Sequence, residues 1–307
     1  MNEFSIIDRY FNWHQSSVVV GIGDDCAVID NDPDKQTVTS VDTLIGGVHF
    51  TSDTSPADIA YKSLAVNLSD IAAMGATPSH FTLAITLPHF DESWVSEFSQ
   101  GLKEAARKYS VSLVGGDTTR GPLSITINVF GVINKGDSIL RSGAMKGDLI
   151  FVSKTLGDAA YAWSQIQSNE KPSISLTESL NRPEPRIALG QRLVGIANSC
   201  IDISDGLEQD LSHILQSSKV GAIIDINKLP LSEPVRDYIS NTGDWCVALA
   251  GGDDYELCFS VNKANKDKIR SIERELNIPL TEIGRVTTGG GLIVNGFSGE
   301  CKSYSHF

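Results

Sequence analysis

Ser55-Pro-Ala-Asp-Ile-Ala-Tyr-Lys-Ser-Leu-Ala-Val-Asn-Leu-Ser-Asp-Ile-Ala-Ala-Met-Gly75, with His80-Phe-Thr-Leu-Ala-Ile-Thr-Leu87 close behind it, decides the fold class. Ser55 reads as an N-cap, Pro56 sits at the first helical position and Asp58 supplies an acid to the first turn. Ala60, Leu64, Leu68, Ile71 and Ala72 recur at spacings of three and four, and the pattern ends near Met74, before Gly75 and Pro78. Asn67 and Asp70 share another face of that helix. The run from His80 to Leu87 then reads as a strand.

Upstream, Val18 to Ile22 and Thr37 to Val41 are short β-branched runs that lead directly into acidic motifs. Downstream, Trp94, Phe98, Leu102, Ala105 and Tyr109 stripe a helix over 94–109, and Leu123 to Ile133 alternates as a long strand. The pattern breaks into turns around Lys135 to Lys146 and resumes with a strand at Leu149 to Val152. Further helices are expected over 158–167, 187–197, 207–215 and 263–276, and strands over 222–226 and 255–261. The polar stretch Ser168 to Ser179 reads as a surface loop. With 307 residues, this predicts an α+β chain of two domains, 1–144 and 145–307.

Hydrophobic residues are 41% and charged residues 21%, which excludes a disordered or collagenous chain. The balance of 25 basic against 38 acidic residues, net −13, disfavours nucleic acid and anionic membranes as partners. Five cysteines without a C-x-x-C pattern point to neither a disulfide framework nor a zinc knuckle, and a reducing cytoplasm is expected. No export signal or spanning segment is expected either.

Six short segments set aspartate beside glycine, serine or threonine: Gly23-Asp-Asp25-Cys, Ser40-Val41-Asp42-Thr, Asn67-Leu-Ser-Asp70, Gly115-Gly116-Asp117-Thr, Asp202-Ile-Ser204-Asp205-Gly and Gly251-Gly-Asp253-Asp-Tyr. Hard Mg²⁺ takes carboxylate, water and phosphate oxygens, and small neighbours let backbone amides approach phosphate closely. No segment matches G-x-x-x-x-G-K-[ST], and the protein-kinase motifs are missing as well. Phosphate would then be held through metal ions gathered by carboxylates from distant segments.

Taken singly, each segment has a plainer reading. A Gly-Asp pair is a turn, and Asp205-Gly206 serves equally well as a cap for the helix that follows. His49 alone reads as a structural imidazole, Arg141 as a surface arginine that could also meet phosphate bidentately, and Tyr304 as a packing aromatic.

Taken together and in order, the motifs resemble the thiamine-monophosphate kinase family, in the superfamily that also holds aminoimidazole ribonucleotide synthetase. The match runs from Glu3-Phe-Ser5 through Gly21-Ile-Gly-Asp-Asp-Cys-Ala27, Asp42-Thr-Leu44, Gly47-Val-His-Phe50, Val66 to Ala76, Gly115 to Pro122, Asp202 to Gly206 and Asp254-Tyr-Glu-Leu257. The resemblance implies ATP-dependent conversion of thiamine monophosphate to thiamine diphosphate, with several Mg²⁺ ions per site and ATP as co-substrate. It also implies a homodimer whose N-terminal mixed sheets form a shared β-barrel-like core, and a C-terminal α/β sandwich domain.

Residue by residue, the family's metal positions fall on Asp25, Ser40, Val41, Asp42, Asp70, Asp117, Asp202 and Asp205, and its ATP contacts on Gly116, Asp117, Arg141 and Ser204. Its substrate contacts fall on His49, Asp253 and Tyr304, and the residues closest to transfer are Asp42, Asp117 and Asp205. The chain departs from the family at Val41, commonly threonine, where only the carbonyl could ligate, and at Asp253, commonly glutamate and one methylene longer. The alternatives are a related ATP-dependent synthase and a non-catalytic regulator that binds nucleotide or divalent metal.

Overall fold

In the computed structural model, residues 3–13, 22 and 32–301 are described. The chain divides into two compact units, Met1–Ile71 with Ala76–Gly136, and Ala72–Gly75 with Asp137–Phe307. The expected strand over 18–22 lies, except for Ile22, outside the described residues, as do Asp25 and Tyr304.

The first unit holds β1 (Lys35–Ile45), β2 (Thr77–Leu87), β3 (Ser112–Arg120) and β4 (Ser124–Asn134) in the order β1-β4-β2-β3. Pairing is antiparallel except for β2 with β3, which run parallel. The predicted helix spans Pro56–Ala73, and its stripe Ala60, Leu64, Leu68, Ile71 and Ala72 is fully buried. Burial of a Leu or Ile side chain is worth about 2 kcal/mol. This helix lies on the sheet face carrying Ile125, Ile127 and Val129: a Cβ placed on Gly131 would stand 3.1 Å from the Ile71 side chain.

A second helix, Glu92–Lys108, starts at Asp91, whose carboxylate accepts the amides of Ser93 and Trp94. It touches the first helix so closely at Gly101 that a Cβ there would lie 2.2 Å from the Ala57 carbonyl oxygen. β3 was not foreseen, because Gly115-Gly116 reads as a loop. In the fold the two glycines lie inside the strand, and a Cβ at Gly116 (φ +154°) would sit 1.8 Å from the Leu83 carbonyl oxygen.

The second unit adds β5 (Leu149–Ser153), β6 (Ala197–Asp202), β7 (Gly221–Asp225), β8 (Leu257–Val261), β9 (Leu280–Thr287) and β10 (Gly291–Asn295) in the order β10-β7-β9-β5-β8-β6. Two apolar cores serve this sheet, one around Val152, Ile201, Leu211 and Ile224, the other around Phe151, Leu189, Phe259 and Ile272. Helices Asp158–Gln167, Leu207–Ser218 and Lys266–Leu276 follow the sequence expectation.

Three expectations are corrected. Within Ser168–Ser179, a helix forms over Ile174–Asn181: Ser173 caps it, and Leu176 and Leu180, four apart, are buried beneath a polar surface. The helix begun at Ile187 stops at Leu193 ahead of Gly195 (φ +70°), so Ala197 opens β6. Cys246 and Cys301 form a disulfide, against the expectation of unpaired thiols, while Cys200 and Cys258 are free and buried. The two partners lie 55 residues apart, a separation that sequence spacing does not reveal. Among the described residues, no helix is long and apolar enough to cross a membrane.

Candidate functional site

In the first unit the second and third acidic motifs meet. The face of β1 that turns toward the helices carries Ser40 and Asp42. The Ser40 hydroxyl donates to Asp70 Oδ2 on the Pro56–Ala73 helix (2.6 Å), and the Asp42 amide donates to Asn67 Oδ1 (3.0 Å). Asn67 is fully buried and also donates to the Ser63 carbonyl (3.0 Å), so its amide is held at both ends. The shared face of Asn67 and Asp70 is thus the one that holds β1.

Burial, then the charge of Asp70, raises the Asp42 carboxyl to about 6, and both causes act upward. A hydroxyl and two carboxylates that disfavour each other's charge are hard oxygen donors, a set that fits Mg²⁺. Val41 is exposed, and its carbonyl is the remaining candidate ligand in this segment.

His49 follows β1 in a turn. Its Nδ1 accepts the Ile45 amide (3.0 Å), so the neutral ring carries its proton on Nε2. The ring is oriented by its own strand.

Gly116 lies in the same row of the sheet as Asp42, through the register Asp42↔Ile127, Ile127↔Leu83 and Leu83↔Gly116. Three inter-strand spacings separate the two backbones, roughly 14 Å. Asp117 is exposed on β3, and its Oδ1 accepts the Thr118 amide (2.9 Å). Within one chain, therefore, Asp117 stands apart from the Asp42–Asp70 pair. Among the described residues of either unit, no three His, Cys, Asp or Glu side chains are grouped as a metal site.

In the second unit the fifth and sixth motifs are joined backbone to backbone. The Asp253 amide donates to the Ser204 carbonyl (2.8 Å), the Tyr255 amide to the Ile203 carbonyl (2.8 Å) and the Ile203 amide to the Glu256 carbonyl (2.8 Å). Asp253 (φ +65°) and Tyr255 (φ +51°) both occupy the left-handed region, at a cost of about 1–3 kcal/mol each that the surroundings must offset.

Those surroundings were not foreseen. Glu256 is buried and takes a bidentate pair from Arg186, Nε to Oε2 at 2.7 Å and Nη2 to Oε1 at 2.6 Å, together with the Ser153 hydroxyl. Burial raises the Glu256 carboxyl, and the Arg186 and Ser153 hydrogen bonds oppose it. Asp254 is raised well above the usual range, first by burial, with the Gly157 amide opposing. The Asp-Tyr-Glu wording was legible, but its arginine lies 70 residues away and has no local signal.

Asp202 ends β6 and is buried, Ser204 is exposed and Asp205 is half-buried. The capping role expected of Asp205 is corrected: the helix cap is Gly206 without a side-chain bond, and Asp205 Oδ2 instead accepts from Gln209 Nε2 (2.8 Å). Asp210, which sequence reasoning passed over, gathers the loop amides of Ser204, Asp205 and Gly206 on its Oδ2. Burial, and then the Asp205 charge, raise its carboxyl to about 7, with those amides opposing. Arg141 is exposed in the segment before β5, where its carbonyl accepts from the Ser218 hydroxyl (3.3 Å).

Two family models match the chain: "AIR synthase related protein, N-terminal domain" over residues 23–133 and "AIR synthase related protein, C-terminal domain" over residues 145–296. The thiamine-monophosphate kinase of Escherichia coli K12 is 46% identical, over 99% of this chain and 98% of that protein. Among solved structures, the thiamine-monophosphate kinase of Stenotrophomonas maltophilia K279a superposes with a TM-score of 0.88 at 42% identity, covering 92% of each chain. AaThiL complexed with AMPPCP and TMP gives a TM-score of 0.81 at 33% identity, over 93% of this chain and 92% of that one. The ordered acidic motifs, the two-unit fold and these likenesses agree, and the chain belongs to the thiamine-monophosphate kinase family.

Proposed function

We propose that this protein transfers the γ-phosphoryl group of ATP to thiamine monophosphate, yielding thiamine diphosphate and ADP. The observation that carries the reading is the Ser40–Asp42–Asp70 cluster, in which Asp42 is pushed upward by burial and by a second carboxylate on the next element. Relatives named for this activity, one of them holding AMPPCP and TMP, support it.

The acceptor is a phosphate monoester whose second pKa is about 6, so its attacking oxygen is largely deprotonated at neutral pH and no general base is needed. Mg²⁺, when bound, supplies charge neutralisation between the carboxylates and the phosphates. Ser40, Asp42, Asp70 and the Val41 carbonyl would hold one ion, and Asp117, three strands away, another. Asp25, Asp202 and Asp205 complete the proposed ligand set. Gly116, Arg141 and Ser204 would meet the nucleotide, and His49, Asp253 and Tyr304 the acceptor. Transfer is direct and in line, without a phosphoenzyme.

In this reading residues 1–144 bind ATP and Mg²⁺ and dimerise, while 145–307 complete the nucleotide and substrate site. Exposed apolar Val41, Ile45 and Val48 on and after β1 support a homodimer through the first unit. A cytoplasmic location follows from ATP as co-substrate. Incubation of the purified protein with ATP, Mg²⁺ and thiamine monophosphate should release ADP and thiamine diphosphate in equal amounts. Nucleotide binding without product would favour the regulatory alternative, and a phosphorylated protein trapped with γ-labelled ATP would contradict direct transfer.

A further inference from the structure

Asp210 sits in the first turn of the Leu207–Ser218 helix and is only 3% exposed. Its Oδ2 accepts three consecutive backbone amides, those of Ser204 (3.0 Å), Asp205 (3.0 Å) and Gly206 (3.1 Å). Successive amides converging at the start of a helix make a concavity that ordinarily receives a phosphate or another external anion. Here the chain's own carboxylate fills it.

The surroundings lock this arrangement. Gly206 has φ +121°, and a Cβ there would stand 2.6 Å from the Ala250 Cα, so only glycine fits and the loop cannot swing toward Ala250. Gln209, one residue before Asp210, bonds the Asp205 carboxylate and aims it. The Ser204 carbonyl is occupied by the Asp253 amide. The Ser204 amide and carbonyl are thus both engaged within the protein, and its hydroxyl belongs to an exposed residue.

We infer that Asp210 is a positioning residue: by occupying the amides of Ser204, Asp205 and Gly206 it presents the Ser204 hydroxyl and the Asp205 carboxylate to the nucleotide and keeps the loop backbone from binding phosphate itself. This rests on the assignment of Ser204 and Asp205 to the ATP and metal site. It adds that contact there is made through side chains, by the Ser204 hydroxyl and by a cation on the Asp205 carboxylate, and not through the loop amides.

Asp210→Ala and Asp210→Asn test it, with amide hydrogen exchange of residues 204–206 in the ligand-free protein and calorimetric binding of a non-hydrolysable ATP analogue with Mg²⁺. Removing the acceptor shared by three loop amides should speed exchange at these amides by about tenfold or more and weaken Mg²⁺-dependent nucleotide binding by about tenfold. Asparagine keeps an acceptor oxygen but not the charge, so it should fall between alanine and wild type on both readouts.

A folded Asp210→Ala protein with wild-type protection of the three amides, or with lost protection and unchanged nucleotide affinity, overturns the inference. If Asp210→Ala does not fold, Asp210→Asn decides by the same two criteria. A wild-type protein that binds the analogue but makes no thiamine diphosphate would break the proposed activity and leave exchange and binding to judge Asp210.

Discussion

The first unit sets Asp42 near Asp70, which takes the Ser40 hydroxyl, and burial and the neighbouring charge push the Asp42 carboxyl in the same direction, to about 6. The second unit buries Asp210 and Glu256 at least as deeply but surrounds each with donors: three amides for Asp210, a bidentate guanidinium and a hydroxyl for Glu256. A buried acid with donors built around it belongs to the architecture. Asp210 is raised as well, to about 7, by burial and the Asp205 charge, so what distinguishes it from Asp42 is the set of three amides that fixes it in place, while Asp42 remains the proposed cation ligand.

The largest effect should come from the working side. Asp42→Ala is expected to lower kcat for thiamine diphosphate formation by about 10³-fold, through loss of a ligand that stabilises transferring charge, with the fold retained by circular dichroism. Near-normal turnover would remove the basis for distinguishing the two regions.

On the supporting side, Arg186→Ala leaves the Glu256 charge buried without its guanidinium and should cost about 3–5 kcal/mol in urea unfolding. Replacing both partners, Arg186→Met with Glu256→Leu, should recover much of that loss. Equal stability of Arg186→Ala and wild type would mean that the buried pair does not anchor the Asp253–Glu256 segment.

The smallest effect is a pH dependence. An acid raised in the folded state takes up protons on folding between its unfolded value near 3.9 and its folded value near 6, so its contribution to stability falls as pH rises through that window. Metal-free Asp42→Asn protein should therefore melt higher than wild type at pH 7, by roughly 2 °C, and the difference should vanish below about pH 4. Added Mg²⁺ should stabilise the wild type and not the variant. A variant that melts lower at pH 7 without metal would show that Asp42 is held by donors after all.

The helix over 56–73 was readable because its cap, proline and apolar spacing lie within one continuous segment, and every residue of the expected stripe is buried. The strand around Gly116 was not, since its glycines look like a loop until β2 stands beside them and forbids any side chain there. The helix over 174–181 was hidden for a related reason: only Leu176 and Leu180 point inward, too few for periodicity to stand out. In the candidate site the acidic residues announced themselves by type and neighbours, but Arg186 and Asp210 did not, because their importance lies in a partner they meet only after folding.

Local chemistry in the sequence thus settled the α+β class and most element positions, and named the aspartates proposed for divalent-metal chemistry, since caps, periodicity and ligand type are properties of short segments. Only the tertiary structure decided that Asp42 shares its place with Asp70, that Asp117 stands three strands away in the same chain, and that Asp210 and Arg186 hold the second set of motifs in shape. Those are consequences of strand register and burial, which decide whether a raised carboxyl also meets fixed donors, and neither follows from spacing along the chain.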